Sequence, residues 1–132
     1  PMGPQAQAAA AVKLRQSLFD VQNFAFVPMT VFLKGGPFDA AAAVTAAERI
    51  QLTSAMIPDL FKVDTRNAKV TTRARDGIWT SMSDFIQKAH DLQNAAANLE
   101  TAAKSGDQDM TKQAAIAVGK ACGSCHDEFR NN

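Results

Sequence analysis

Apolar positions along the chain recur at spacings of three and four, with no stretch of strand length that alternates apolar and polar residues. The most regular series is Ile78, Met82, Phe85, Ala89, Leu92, Ala96, Leu99 and Ala103, which predicts one bundle helix of about seven turns. Ser105, Gly106 and Asp107 end that helix and cap the next within three residues, so the two must be antiparallel neighbours. The last helix carries Thr111, Ala115, Val118, Cys122, Cys125 and Phe129 on one stripe. Near the start, Val12, Phe19, Phe26 and Leu33 recur every seven residues in a helix expected from about Ala8 to Lys34. Gly35, Gly36 and Pro37 stop it, and Pro28 inside it is expected to produce a kink. Asp39 is the predicted N-cap of a second helix that ends near Ile57, where Pro58 closes it. The polar stretch from Pro58 to about Asp76, carrying Arg66, Lys69, Arg73 and Arg75, lacks an apolar stripe and is the long connection. These elements predict an all-α chain folded as an antiparallel four-helix bundle with helices crossing at about 20°.

The 132 residues suit a single domain spanning 1–132. No apolar run approaches the roughly 20 residues of a membrane span. A net charge of +1 with both signs interspersed gives no basic footprint, which excludes nucleic acid binding as a reading. Opening at Pro1 without a leader-like segment, the sequence reads as a processed or trimmed chain, an expectation that leaves export open. The two cysteines lie three apart, too close to staple a fold, so their role is local.

That role is chemical. Cys122-Gly123-Ser124-Cys125-His126 matches C-x-x-C-H, the attachment signal for one covalently bound c-type haem. On a helix, positions i, i+3 and i+4 share a face, so both thiols can meet the vinyl groups of the ligand whose iron His126 binds. A thioredoxin-like pair belongs after a strand, and none is expected here. A zinc site needs four ligands, and beyond these three only His90 remains, which reads as an exposed helix residue. The first helix decides what the other face of the iron meets. Its seven-residue series reads equally well as core or as a lid over the haem.

Several segments, taken in order, resemble cytochromes c′. They are Val12, Lys13, Arg15, Gln16 and Ser17; Met29-Thr30; Lys34-Gly35; Pro37 to Ala41; Ile78-Trp79; Ser105 to Asp107; and Cys122 to Arg130 around the haem motif. The resemblance spans nearly the whole chain, apart from the first few residues and parts of the long connection. Cytochromes c′ are themselves a standing example of the four-helix bundle, so the resemblance and the periodicity agree without being independent.

The resemblance implies that the residue four after Arg15, namely Phe19, lies over the iron opposite His126. Phenylalanine has no lone pair to coordinate, which implies a five-coordinate, high-spin haem c with an apolar sixth position. Such a site suits nitric oxide and carbon monoxide, whereas bound oxygen gains charge and needs a donor. Arg15 and Gln16 are implied at the haem edge and propionates, Trp79 near that edge, Phe129 against the ring, and Arg130 on the proximal side. There Arg130 would restrain His126, or stabilise a diatomic once the histidine detaches. The implied protein is a periplasmic homodimer, associated through its first two helices, that binds gases and transfers electrons to an unknown redox partner rather than acting as an enzyme. The alternative is a low-spin, six-coordinate electron carrier with a distal protein ligand. Its candidate sulfurs are Met29 and Met82, yet Met29 lies roughly 15 Å along the helix from Phe19. The loop cations read as a solvated surface, with docking of an acidic redox partner as the other reading.

Overall fold

Capping chemistry sets the helix boundaries in the computed structural model, which describes residues 3–131. Helix α1 spans Pro4–Leu33, α2 Ala40–Leu60, the single turn α3 Gly77–Thr80, α4 Met82–Ser105 and α5 Gln108–Phe129. Asp39 accepts from the Ala42 backbone N–H at 3.0 Å, and Asp107 accepts from that of Met110 at 2.9 Å, each satisfying a donor that a helix start leaves orphaned. Gly106 ends α4 at φ 75°, a left-handed conformation that suits glycine. The resulting all-α architecture is the expected antiparallel four-helix bundle, with α3 as an extra turn. No helix among the described residues is long and apolar enough to cross a membrane.

Three boundaries differ from the sequence reading. Helix α1 begins at Pro4 and runs through Pro28 to Leu33, because a proline at the helix start gives up only a backbone donor that would be unpaired anyway. Pro58 does not close α2, which continues to Leu60. Burial of Ile57 and Phe61 holds this last turn on the core, and Phe61 ends it by donating to the Pro58 carbonyl at 3.2 Å. The long helix expected from Ile78 is broken at Ser81, with φ −129° and ψ 49°. The turn before the break is held to the preceding loop by the Trp79 indole, which donates to the Phe61 carbonyl at 2.9 Å.

Helix α2 packs along α4, α4 along α5 and α1 along α2, whereas α1 and α5 meet over a short stretch only. Buried alanines on α2 (Ala43, Ala46, Ala47) and α4 (Ala89, Ala96, Ala103) keep the central seam thin. Leu99 and Val118 are fully buried, each worth about 1.5–3 kcal/mol of transfer free energy. Gln22 of α1 donates to Ser54 of α2 at 3.2 Å inside this interface, which satisfies two buried polar groups together. The buried stripe of α1 runs Ala8, Val12, Arg15, Leu18, Gln22, Ala25, Met29 and Phe32. Of the seven-residue series, Val12 lies in that stripe, while Phe19, Phe26 and Leu33 lie on its shoulder, partly buried against the core.

The long connection is tied down at both ends. The Gln5 side chain donates to the Lys69 carbonyl at 2.7 Å and accepts from the Lys69 N–H at 3.0 Å. Farther on, Ala74 forms an antiparallel bridge with Arg130. There the Arg75 N–H donates to the Phe129 carbonyl at 2.9 Å and the Asn131 N–H to the Arg73 carbonyl at 2.7 Å.

Candidate haem site

The gap between α1 and α5 is where the expected chemistry converges. Cys122, Cys125 and His126 lie on α5 as a helical i, i+3, i+4 set, with both thiols unbridged and half-buried and the imidazole exposed. Burial pushes the Cys122 thiol up and the Cys125 thiol up to about 11. Both shifts run opposite to the lowered thiols of a redox pair. Partial desolvation by its neighbours is the main force holding His126 below the ordinary histidine value, with the Arg130 charge adding to it. Both influences favour the neutral imidazole, the form that ligates a metal. Lys88 of α4 braces the motif, donating to Ser124 at 2.7 Å and lying 3.8 Å from the Glu128 carboxylate.

Across the gap, the Phe19 ring lies 6.4 Å from the His126 ring with the two planes at 85°. This relationship tests the fit of a flat macrocycle. A ligating imidazole can stand upright on the plane through a bond of about 2 Å, while a phenyl ring lies flat on the opposite side at van der Waals distance, about 3.5 Å. Two perpendicular rings at the observed separation meet both requirements, and both thiols lie on the histidine side. The residues present therefore fit a haem.

The walls are aromatic. Phe129 is buried and meets Phe85 edge-on at 5.2 Å and 89°, and Phe85 meets Phe61 at 4.7 Å. Phe61 in turn lies 6.4 Å from Phe19 and 6.3 Å from Trp79. Phe61 was not among the expected site residues, because Pro58 ahead of it read as the end of the apolar stripe. Its spacing of four from Ile57 was the available signal.

Arg15 lies on the buried face of α1, only 3% exposed. Its Nε donates to the Leu60 carbonyl at 2.7 Å, Nη2 to the Val63 carbonyl at 2.5 Å and Nη1 to the Thr65 hydroxyl at 3.2 Å. Two of its five N–H groups remain for other acceptors. Gln16 is exposed and lines a groove of about 350 Å³ with Ala9, Val12, Lys13, Val70 and Thr71. Arg130 follows His126 by one turn but stands beyond the end of α5 in extended conformation, its N–H on the His126 carbonyl. Its side chain is exposed. His90 is exposed on α4, and Met29 is 1% exposed within the core.

The sequence profile described as Cytochrome C' matches residues 10–130. The chain belongs to the cytochrome c′ family. A cytochrome c′ of Cereibacter sphaeroides is 37% identical over 131 residues, which cover 95% of this chain and 85% of that protein. Among solved structures, the nitric oxide complex of a variant cytochrome c′ from Alcaligenes xylosoxidans superposes with a TM-score of 0.83 at 33% identity, covering 95% of this chain and 96% of that one. A carbon monoxide complex of another variant of the same Alcaligenes protein gives a TM-score of 0.81 at 34% identity, covering 92% and 94%. Membership of the cytochrome c′ family implies a haem c cofactor and places the chain among haem cytochromes rather than enzymes.

Proposed function

We propose that this chain carries one haem c, attached covalently through Cys122 and Cys125 and ligated by His126, with five-coordinate, high-spin iron that binds nitric oxide and carbon monoxide. The observation that carries this reading is Phe19 facing His126 across the gap. In the attachment, each thiol S–H adds across a vinyl C=C, sulfur to one carbon and hydrogen to the other. When bound, the haem supplies an iron with one position open on the Phe19 side. The protein's part is to hold neutral His126 on one face and to keep the other face apolar and closed by Phe19.

Oxygen is disfavoured there because its bound form needs a donor. Phe19 offers none, and Arg15 directs three of its donors into the loop at Leu60, Val63 and Thr65. The gas complexes of the two Alcaligenes variants support nitric oxide and carbon monoxide as ligands. Gln16, Trp79 and the remaining N–H groups of Arg15 are assigned to the haem edge and propionates, Phe129 to the ring, and Arg130 to the proximal side of His126. The site then serves nitric oxide buffering or electron transfer to a redox partner. A periplasmic location belongs to the same proposal, because covalent haem attachment of this kind is carried out outside the cytoplasm.

Visible and electron-paramagnetic spectra test the coordination. High-spin signals and a broad ferrous band are expected, whereas sharp, split α and β bands would establish the six-coordinate alternative. A homodimer through α1 and α2 belongs to the same reading. It is supported by exposed apolar side chains on these two helices, namely Leu14, Val21, Phe24, Val27 and Val31 on α1 with Leu52 and Met56 on α2. Phe24 is 69% exposed and Leu52 70%. Sedimentation at micromolar concentration is expected to give a dimer, and a monomer would refute it.

A further inference from the structure

The guanidinium of Arg15 does more than hold loop carbonyls. Its central carbon lies 4.3 Å from the centre of the Phe61 ring and 5.5 Å from that of Trp79, so the cation stacks on the aromatic tier next to Phe19. Trp79 joins the arrangement through its bond to the Phe61 carbonyl. Phe61, 5% exposed, is thereby held by Arg15 on its face, by Phe85, and by its own backbone. The ring it borders is Phe19, which is only partly buried and has to yield before a diatomic can reach an iron on that side.

We propose that Arg15 is a positioning residue that holds Phe61 against Phe19 and so sets how readily the ring over the iron moves aside for an incoming diatomic. This rests on the five-coordinate gas-binding reading above. The role differs from holding a propionate, which requires only the charge and N–H groups of Arg15. Clamping Phe61 requires the flat face as well, and lysine lacks that face while keeping the charge. The position of the loop carbonyls matters equally. Three hydrogen bonds from one planar group fix residues 60–65 in a single arrangement, and a flexible ammonium cannot satisfy all three in the same directions.

The test uses the haem-loaded ferrous protein and two variants, Arg15→Lys and Phe61→Leu, with carbon monoxide as the probe. Association is expected to accelerate about tenfold in both, the scale of one desolvated cation–π contact, while remaining first order in carbon monoxide. The lone tryptophan supplies a second readout in the diamagnetic carbon monoxide complex. Exchange of the Trp79 indole hydrogen is expected to quicken in Arg15→Lys as the loop loosens. An unchanged association rate in either variant would overturn the proposal, even with faster Trp79 exchange. So would a change in reduction potential as the only effect of Arg15→Lys, which marks a propionate anchor. An association rate independent of carbon monoxide concentration in the parent protein would instead reveal an internal sixth ligand. That outcome would overturn the five-coordinate reading and this role with it.

Discussion

Phe19 and Met29 lie on the same helix, ten residues apart, yet one faces the gap toward α5 and the other is 1% exposed in the bundle core. The sulfur is thus engaged in packing, and the residue opposite the imidazole carries no ligating atom. Phe19→Met is therefore expected to convert the ferrous spectrum to the sharp, split bands of a six-coordinate, low-spin haem. Met29→Leu should leave the spectrum unchanged and cost less than about 1.5 kcal/mol of stability, since it nearly conserves volume. A low-spin parent protein made high-spin by Met29→Leu would reverse both assignments.

Arg130 sits just past the end of α5, its charge adding to what holds His126 below the ordinary histidine value and its N–H bonded to the His126 carbonyl. Arg130→Ala keeps that backbone bond and removes the guanidinium. The expected result is a several-fold change in the rate at which the six-coordinate nitrosyl converts to the five-coordinate form, followed by stopped-flow absorbance. Identical kinetics and spectra would leave Arg130 as a solvated terminal residue.

Gly36 closes α1 by donating to the Val31 carbonyl at 3.0 Å. A Cβ at this position would lie 2.8 Å from that carbonyl oxygen and 2.7 Å from Val31 Cγ1. Because the obstacle includes backbone, Gly36→Ala is expected to destabilise the fold by about 1–3 kcal/mol, read by chemical denaturation. At Gly35 the space is open, and alanine there is opposed by the positive φ of 98° instead of by a clash.

Glu100 links α2 and α4, accepting from Gln51 at 2.7 Å and from Lys104 at 2.5 Å. The Lys104 hydrogen bond, followed by that of Gln51, holds its carboxyl below the ordinary glutamate value. A carboxylate depressed in the folded state adds stability above its unfolded pKa, and that stability is lost as pH falls through the folded value. Glu100→Gln is therefore expected to flatten the acid limb of the stability curve, and the alkaline limb as well, because the same contact holds Lys104 above its ordinary value. The difference should be small, because Lys104 is exposed and the pair is screened by solvent.

Much of this protein was legible in its sequence for a local reason. The three-and-four spacing from Ile78 to Ala103 specifies a buried stripe whatever the helix packs against. Asp39, Asp107 and Gly106 set helix ends through bonds reaching only a few residues, and Cys122, Cys125 and His126 share a face by helical geometry alone. Pro58 misled because its local cost was outweighed by the burial of Ile57 and Phe61, a gain that exists only once α2 meets the rest of the bundle.

Tertiary structure alone decided what surrounds the site. No spacing rule places the Arg15 guanidinium on Phe61, 46 residues away along the chain, or directs its donors to Leu60, Val63 and Thr65. Nor does any local pattern set the Phe19 ring perpendicular to His126 from the opposite end of the chain. Those relations come from closing the bundle, where α1 and α5 are brought together by their packing on α2 and α4. Residues far apart in sequence then settle against each other according to the shape of the space left between them.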